Sequence, residues 1–277
     1  DLRRATLPGG WRERELREPL RGCPARGQHA AEKGWDAGEG YLGGEKNASS
    51  NVAHLIGRPL LPTHALNAQG IDRMAITTVP KKGIKDPKFA SRFKSPLLLV
   101  KEHQDLYLDL WTDGYLVYKN EIVGFSAPGQ VDALRAAADW LTKERTILQA
   151  YVAGISSRLY TQRATAIFSA DILALPFPDE GGLDISINER IVADDIVDYQ
   201  RDFIRLGTDA KVMQRVPESA LACFDEVLTR QLNQAYGRKP LRALSAYHWA
   251  GAVCKAYAFG EGAVDWSGAE DLRVRLD

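Results

Sequence analysis

Chemistry in this chain, if it has any, must come from a few short patterns. The densest is a basic run. Between Lys81 and Lys101 stand Lys81, Lys82, Lys85, Lys88, Arg92, Lys94 and Lys101, against a single acid, Asp86. Cations at that density neutralise phosphates and fix the register of a duplex, without themselves reading sequence. Shortly after come Trp111, Tyr115, Tyr118, Lys119 and Asn120, groups of the kind that reach base edges in a groove. The candidate DNA-binding residues are therefore Lys81, Lys82, Lys85, Lys88, Arg92, Lys94, Tyr118, Lys119 and Asn120.

Three other patterns carry less. Gly38-Glu-Gly40-Tyr-Leu-Gly43 has the spacing of a dinucleotide loop. Such a loop needs a buried strand before it and a helix after it, so that the helix N-terminus meets the phosphate. Glu-Lys-Gly-Trp-Asp-Ala before it and Gly44-Glu-Lys-Asn after it supply neither, and plain turn chemistry is expected. Pro178-Asp179 with Asp209-Ala-Lys211 has the form of a metal-dependent nuclease site, but its second half follows a predicted helix rather than a paired strand. Phe259-Gly-Glu-Gly262 is faintly like a methyl-donor loop, without a βαβ unit after it. No Asn-Pro-Pro-aromatic tetrapeptide occurs, and no Pro-Pro at all.

Composition narrows the classes. Lys plus Arg and Asp plus Glu each number 36, so any polyanion binding has to be local. Cys23, Cys223 and Cys254 form no C-x-x-C pair, and the five histidines show no zinc spacing. An odd, sparse cysteine set fits a reducing cytoplasm. No apolar run is long enough for a membrane span, and the Arg-rich start lacks the apolar core of a secretory leader. A chain opening on Asp1 rather than Met is expected to be a piece of a longer protein.

The elements that must position these residues follow from periodicity. Residues 1–34 alternate Arg and Glu around Pro and Gly, and read as a loosely packed tail, with residues 1–33 expected to be dispensable for folding. Residues 35–70 are turn-rich. Pro96-Leu-Leu-Leu-Val100 is a buried strand, and Asp105–Leu110 and Tyr115–Phe125, joined through Thr112-Asp113-Gly114, extend it into an antiparallel meander. Val131, Leu134, Ala138, Leu141, Leu148, Val152, Ile155 and Leu159 form the stripe of one helix. Asp171-Ile-Leu-Ala-Leu-Pro-Phe-Pro178 reads as a strand halted by prolines, with Ile172 and Leu175 buried. Residues 188–206 and 217–236 read as helices. The expectation is an α+β chain: a tail over 1–34, a recognition domain over 35–180, and a mainly helical segment over 181–277.

Several stretches, in order, resemble the C-terminal region of large N6-adenine DNA methylases of restriction–modification and phage-defence systems. They are Gly34-Trp-Asp-Ala-Gly-Glu-Gly-Tyr41, Gly57-Arg-Pro-Leu-Leu-Pro-Thr63, Phe93-Lys-Ser-Pro-Leu-Leu-Leu-Val-Lys-Glu102, Tyr118-Lys-Asn-Glu-Ile-Val-Gly124, Ser169-Ala-Asp-Ile-Leu-Ala-Leu-Pro-Phe-Pro178, Cys223-Phe-Asp-Glu-Val227, Leu232-Asn-Gln-Ala-Tyr236 and Tyr257-Ala-Phe-Gly260. The resemblance implies a target-recognition module with helical spacers, duplex DNA as partner, and S-adenosylmethionine held by a catalytic domain in cis or in trans. The cofactor loop and catalytic tetrapeptide of those enzymes lie upstream of this region. This chain alone is thus expected to bind no cofactor and to transfer no methyl group. The competing expectation is a helical docking module, built on residues 131–159 and 188–236, that touches no DNA.

Overall fold

The structure is a computed structural model that describes residues 23–46, 51–160, 165–177, 185–210, 214, 217–236, 240–249 and 252–263. The chain is α+β, and it divides into two compact units, Asp1–Arg205 and Leu206–Asp277. The division falls between Arg205 and Leu206, at the end of the helix that follows residue 185.

The first unit opens with helix α1 (Arg26–Glu32), then β1 (Asp36–Glu39), β2 (Leu42–Gly43), β3 (Pro59–Leu61), β4 (Leu66–Asn67), β5 (Gly70–Ile71), β6 (Thr77–Thr78), β7 (Ile84–Asp86), β8 (Leu97–Lys101), β9 (Leu108–Trp111), β10 (Val117–Tyr118) and β11 (Ile122–Ser126). Helices α2 (Val131–Lys143), α3 (Arg145–Ile155), α4 (Ser169–Leu173) and α5 (Ile187–Leu206) follow. Four strands form the central antiparallel sheet, in the order β1-β11-β8-β9. A simple meander is therefore not what forms. β10 leaves the sheet to pair in parallel with β3, and β11 returns on the far side of β8.

Why β8 reads as an unbroken apolar run is clear from its two faces. Alternate residues of a strand point to opposite sides. Leu98 and Val100 join Val123 and Phe125 of β11 in a core roofed by α2 and α3, through Leu134, Ala137, Leu141, Ile147, Leu148 and Val152. Leu97 and Leu99 join Ile122 in a second core closed by Leu60, Leu61, Phe93, Trp111, Val117 and Tyr118. A strand buried on both sides has no polar alternation to show.

Three expectations are corrected here. The helix over 131–159 is two helices, broken at Glu144. That carboxylate is buried between them and accepts from both Nη atoms of Arg190 on α5, at 2.8 and 3.2 Å. The segment from Asp171 begins as helix, not strand. Asp171 accepts from the Phe168 N–H at 2.9 Å and so caps the N-terminus of α4. Pro176 lies beyond the helix end and bridges to Ala25, so it follows a helix rather than halting a strand; Pro178 lies outside the described residues. Ile172 and Leu175 are buried as expected. Thirdly, the reading of 1–34 as a loose tail fails over α1, which buries Arg26, His29 and Ala30, with Trp35 just after it. Residues 1–22 lie outside the described residues.

In the second unit, helix α6 (Glu218–Tyr236) is followed by an antiparallel hairpin, β12 (Leu241–Trp249) and β13 (Ala252–Phe259). Asn233 of α6 accepts from the Leu241 N–H and donates to the Leu241 carbonyl at 3.0 Å. Asp225 accepts from Tyr257 Oη at 2.5 Å and pairs with Lys255 Nζ at 2.8 Å. Helix and hairpin are thus cross-linked by polar side chains, and this segment is less purely helical than its composition suggested.

Candidate nucleic-acid interface

Part of the basic run is drawn onto a narrow three-segment ribbon. The Tyr41 N–H donates to the Tyr118 carbonyl at 3.0 Å, and the Asn120 N–H donates to the Tyr41 carbonyl at 3.1 Å. On its other side this chain segment runs into β2, which pairs with β7 through Leu42–Asp86 and Gly43–Ile84. Gly44 N–H closes the ribbon on Gly83 O at 3.0 Å. Residues 118–120, 41–44 and 83–86 therefore lie side by side. Lys85 and Lys119 therefore stand on the two outer segments of the ribbon, with Tyr41–Gly44 between them. Ile84 is buried, so its neighbour Lys85 faces outward, its stem laid over the bare backbone of Gly44. Lys81 and Lys82 are exposed on the turn that leads in, and Lys119 and Asn120 are half-buried.

The remaining candidates do not join them. Tyr118 is 0% exposed and cannot touch a base edge. Its hydroxyl donates to the Arg92 carbonyl at 3.2 Å, its ring stands edge-on to Phe93, and burial drives its pKa far above that of an ordinary phenol. Its backbone and ring fill space left by two glycines: a Cβ at Gly40 would collide with the Tyr118 carbonyl, and one at Gly124 with the Tyr118 hydroxyl. The expectation of base reading by Tyr118 is corrected: it is a core residue. Arg92 is spoken for. Its Nε and Nη2 lie 2.7 Å from Asp36 Oδ1, and Nη1 donates to the Glu39 carbonyl at 3.0 Å. Lys88 pairs with Asp86 at 2.6 Å, and that hydrogen bond holds the Asp86 carboxyl below its ordinary range. Lys94 is exposed, but its carbonyl accepts from Ser126 Oγ, at the end of β11 opposite Ile122 and roughly 14 Å of strand away. Trp111 is buried, donating to Gly114 O at 3.2 Å, and Tyr115 lies under the Arg58 guanidinium.

Beside the ribbon, the end of the central sheet gathers carboxylates that sequence reasoning missed. Glu39 ends β1, Glu102 directly follows β8, and Glu121 precedes β11. The Glu102 N–H donates to Glu121 O at 2.9 Å. Glu39 accepts from Ser169 Oγ at 2.5 Å, and Glu121 from Thr63 Oγ1. The Glu102 side chain is nine-tenths buried, with Arg158 Nη1 3.8 Å from its Oε2. Burial, then the charge of Glu39, raises it to about 7, against the pull of Arg158. No spacing rule links positions 39, 102 and 121; only the strand order β1-β11-β8 does. Among the described residues no group of His, Cys, Asp or Glu is placed to hold a metal ion.

Neither the dinucleotide-like loop at Gly38–Gly43 nor the methyl-donor-like loop at Phe259–Gly262 has the backbone such a loop needs. Gly40 is filled by Tyr118, and after Gly43 the chain continues in the β2–β7 pairing rather than into a helix. At Phe259–Gly262 the carbonyls of Gly260 and Gly262 accept from Arg242, so the loop turns acceptors inward where an anion cradle needs free N–H groups. The acid–lysine pattern across Asp179 and Lys211 lies outside the described residues. No described helix is long and apolar enough to cross a membrane. Compared with protein-family models and with curated proteins, the chain matches none.

Proposed function

We propose that this chain binds duplex DNA as the specificity portion of an adenine-N6 DNA methyltransferase, with methyl transfer carried by a catalytic domain in cis or in trans. The observation that supports it is the ribbon that carries Lys85 on one outer segment, entered from Lys81 and Lys82, and Lys119 and Asn120 on the other. The lysines neutralise phosphates. Asn120 has the side chain that pairs with both the N6 and N7 of adenine. Arg92 and Tyr118 support the ribbon from behind, and Lys88 is held by Asp86.

Fluorescence anisotropy with a labelled duplex across a salt series tests the reading. Each phosphate contact contributes about 0.9 to the fall of log affinity with log salt. Replacing Lys81, Lys82 and Lys85 by Ala is expected to lower that slope by about 2–3. An unchanged slope removes these lysines from any DNA interface.

A second reading has its own observation. Helices α2 and α3 spend their apolar stripes on the core, but α5 leaves Ile187 and Ile191, one turn apart, exposed at 70% and 53%, and α6 leaves Phe224 and Val227 exposed. An apolar helix face of that kind docks a partner protein. The absence of any salt-dependent DNA affinity favours it.

A further inference from the structure

We propose that Phe89 is a wedge that enters duplex DNA between neighbouring base pairs, carried to the helix by the lysines around it. The inference rests on the DNA-binding reading above and adds to it a residue and a mode of contact.

The motivating observation is Phe89 itself, an aromatic ring left 81% exposed in the middle of the basic run. Lys81, Lys82, Lys85 and Lys94, before and after it in sequence, are all exposed, so the ring stands within the most cation-dense stretch of the chain. A polyanion with an apolar interior, reached by parting its layers, matches that pairing. Proteins that kink DNA use apolar side chains of this kind, flanked by cations, to unstack a base step. Met74 is more exposed still, but its neighbour Arg73 is paired with Asp113 and no lysine accompanies it. Charge therefore singles out Phe89.

A wedge has to be stiff, and the backbone holds Phe89 from both sides. Before it, Pro87 is buried and Lys88 adopts φ +57°, a left-handed conformation that a lysine rarely takes. Asp86 braces that conformation twice: its Oδ1 accepts from the Lys88 N–H at 3.4 Å, and its Oδ2 from Lys88 Nζ at 2.6 Å. After it, the 3-10 turn Ala90–Phe93 begins at once. The Arg92 N–H donates to Phe89 O at 3.1 Å, and Phe93 is driven fully into the core. Four residues apart, one phenylalanine anchors the turn and the other is held out of it. A non-glycine residue at positive φ persists where the surroundings over-determine it, and here its effect is to aim the ring away from the protein.

The experiment uses the full chain and 30-base-pair duplexes of mixed sequence carrying 2-aminopurine at successive central positions. Binding is expected to raise 2-aminopurine fluorescence by unstacking. Phe89→Ala is expected to abolish that rise and weaken binding about tenfold, the loss of one base–aromatic contact. Its salt slope stays at the wild-type value and its thermal melt is unchanged. Phe89→Leu, which keeps an apolar wedge, is expected to restore most of the signal. Phe89→Ala binding with wild-type affinity and an intact fluorescence rise overturns the wedge while the salt slope still upholds DNA binding. Absence of any DNA binding by the wild type overturns both. If the wild type binds phosphatidylserine vesicles instead, and Phe89→Ala releases them, the ring is a membrane contact and the proposal fails. A destabilised Phe89→Ala melt also overturns it, because it places the ring in the core.

Discussion

The central sheet of the first unit is closed on one face by helices and on the other by short strands and turns, and the two faces do different work. On the helical face, α2 and α3 lay regular apolar stripes over Leu98, Val100, Val123 and Phe125. On the opposite face the cover is β3, β6, β10 and single 3-10 turns, tied in by Phe93 and Tyr118. Regular cover leaves little protruding. Irregular cover buries an anchor every few residues and turns the residues between outward, and there Lys81, Lys82, Lys85, Phe89 and Asn120 are found. A rigid sheet with a thin loop layer is a common way to present binding residues without softening the scaffold.

The sharpest way to break this comparison is to empty the anchor of the loop layer. Tyr118→Ala is expected to lose about 3–5 kcal/mol in urea unfolding, as for other large buried aromatics. Tyr118→Phe, which removes only the hydroxyl's bond to Arg92 O, is expected to lose about 1 kcal/mol. Leu148→Ala, on the helical face, is expected to fall in the range of about 2–4 kcal/mol. A Tyr118→Ala loss below that of Leu148→Ala would mean that the loop layer is not a true second core.

The helical face carries the next effect, with the opposite sign. Arg26 is 0% exposed, and none of its three side-chain nitrogens has a hydrogen-bond partner among the described residues. Burial lowers its pKa to about 9. The guanidinium lies over the rings of Phe177, at 4.4 Å from the centroid, and Phe125, at 5.6 Å. Two cation–π contacts offset part of the desolvation of an unpaired charge, but not all of it. Arg26→Met is therefore expected to stabilise the first unit by about 1–3 kcal/mol. A loss of stability would show that the aromatic contacts outweigh burial.

The smallest effect sharpens the comparison at the edge where the two faces meet. Glu102 is raised from the ordinary 4.5 to about 7. A carboxyl whose folded pKa lies above its unfolded one favours folding while it holds its proton. That contribution is complete below pH 4.5 and is lost as pH rises through 7. It is worth on the order of 1–2 kcal/mol, allowing for the nearby solvent. Glu102→Gln is expected to flatten this part of the stability profile, leaving the variant more stable than wild type at pH 8. A profile unchanged by the substitution would assign the titration to another group.

What was legible in the sequence divides along the same line. The stripe from Val131 and the run Leu97–Val100 follow single periods over many residues, and both elements stand where periodicity puts them. The break at Glu144 was not visible in the stripe, and the partner of its buried carboxylate, Arg190, is 46 residues away. The segment around Ile172 misled because a five-residue helix is too short to show a period, and its prolines punctuate a helix as readily as a strand. The hairpin β12–β13 was hidden by its alanines, good helix formers in a segment whose neighbour is a helix. At the site, the cations were legible as composition. Which of them remain outward was not, since Asp36 and Glu39, which claim Arg92, lie more than fifty residues upstream.

The nesting of Tyr118 between Gly40 and Gly124 constrains how this sequence can drift. A side chain at either glycine needs the tyrosine to shrink first, and a smaller residue at 118 opens a void that neither glycine can fill alone. Each single step is costly, so the three positions are expected to change together or not at all. In relatives too divergent for their overall similarity to be detected, this trio is expected to be a durable mark of common descent.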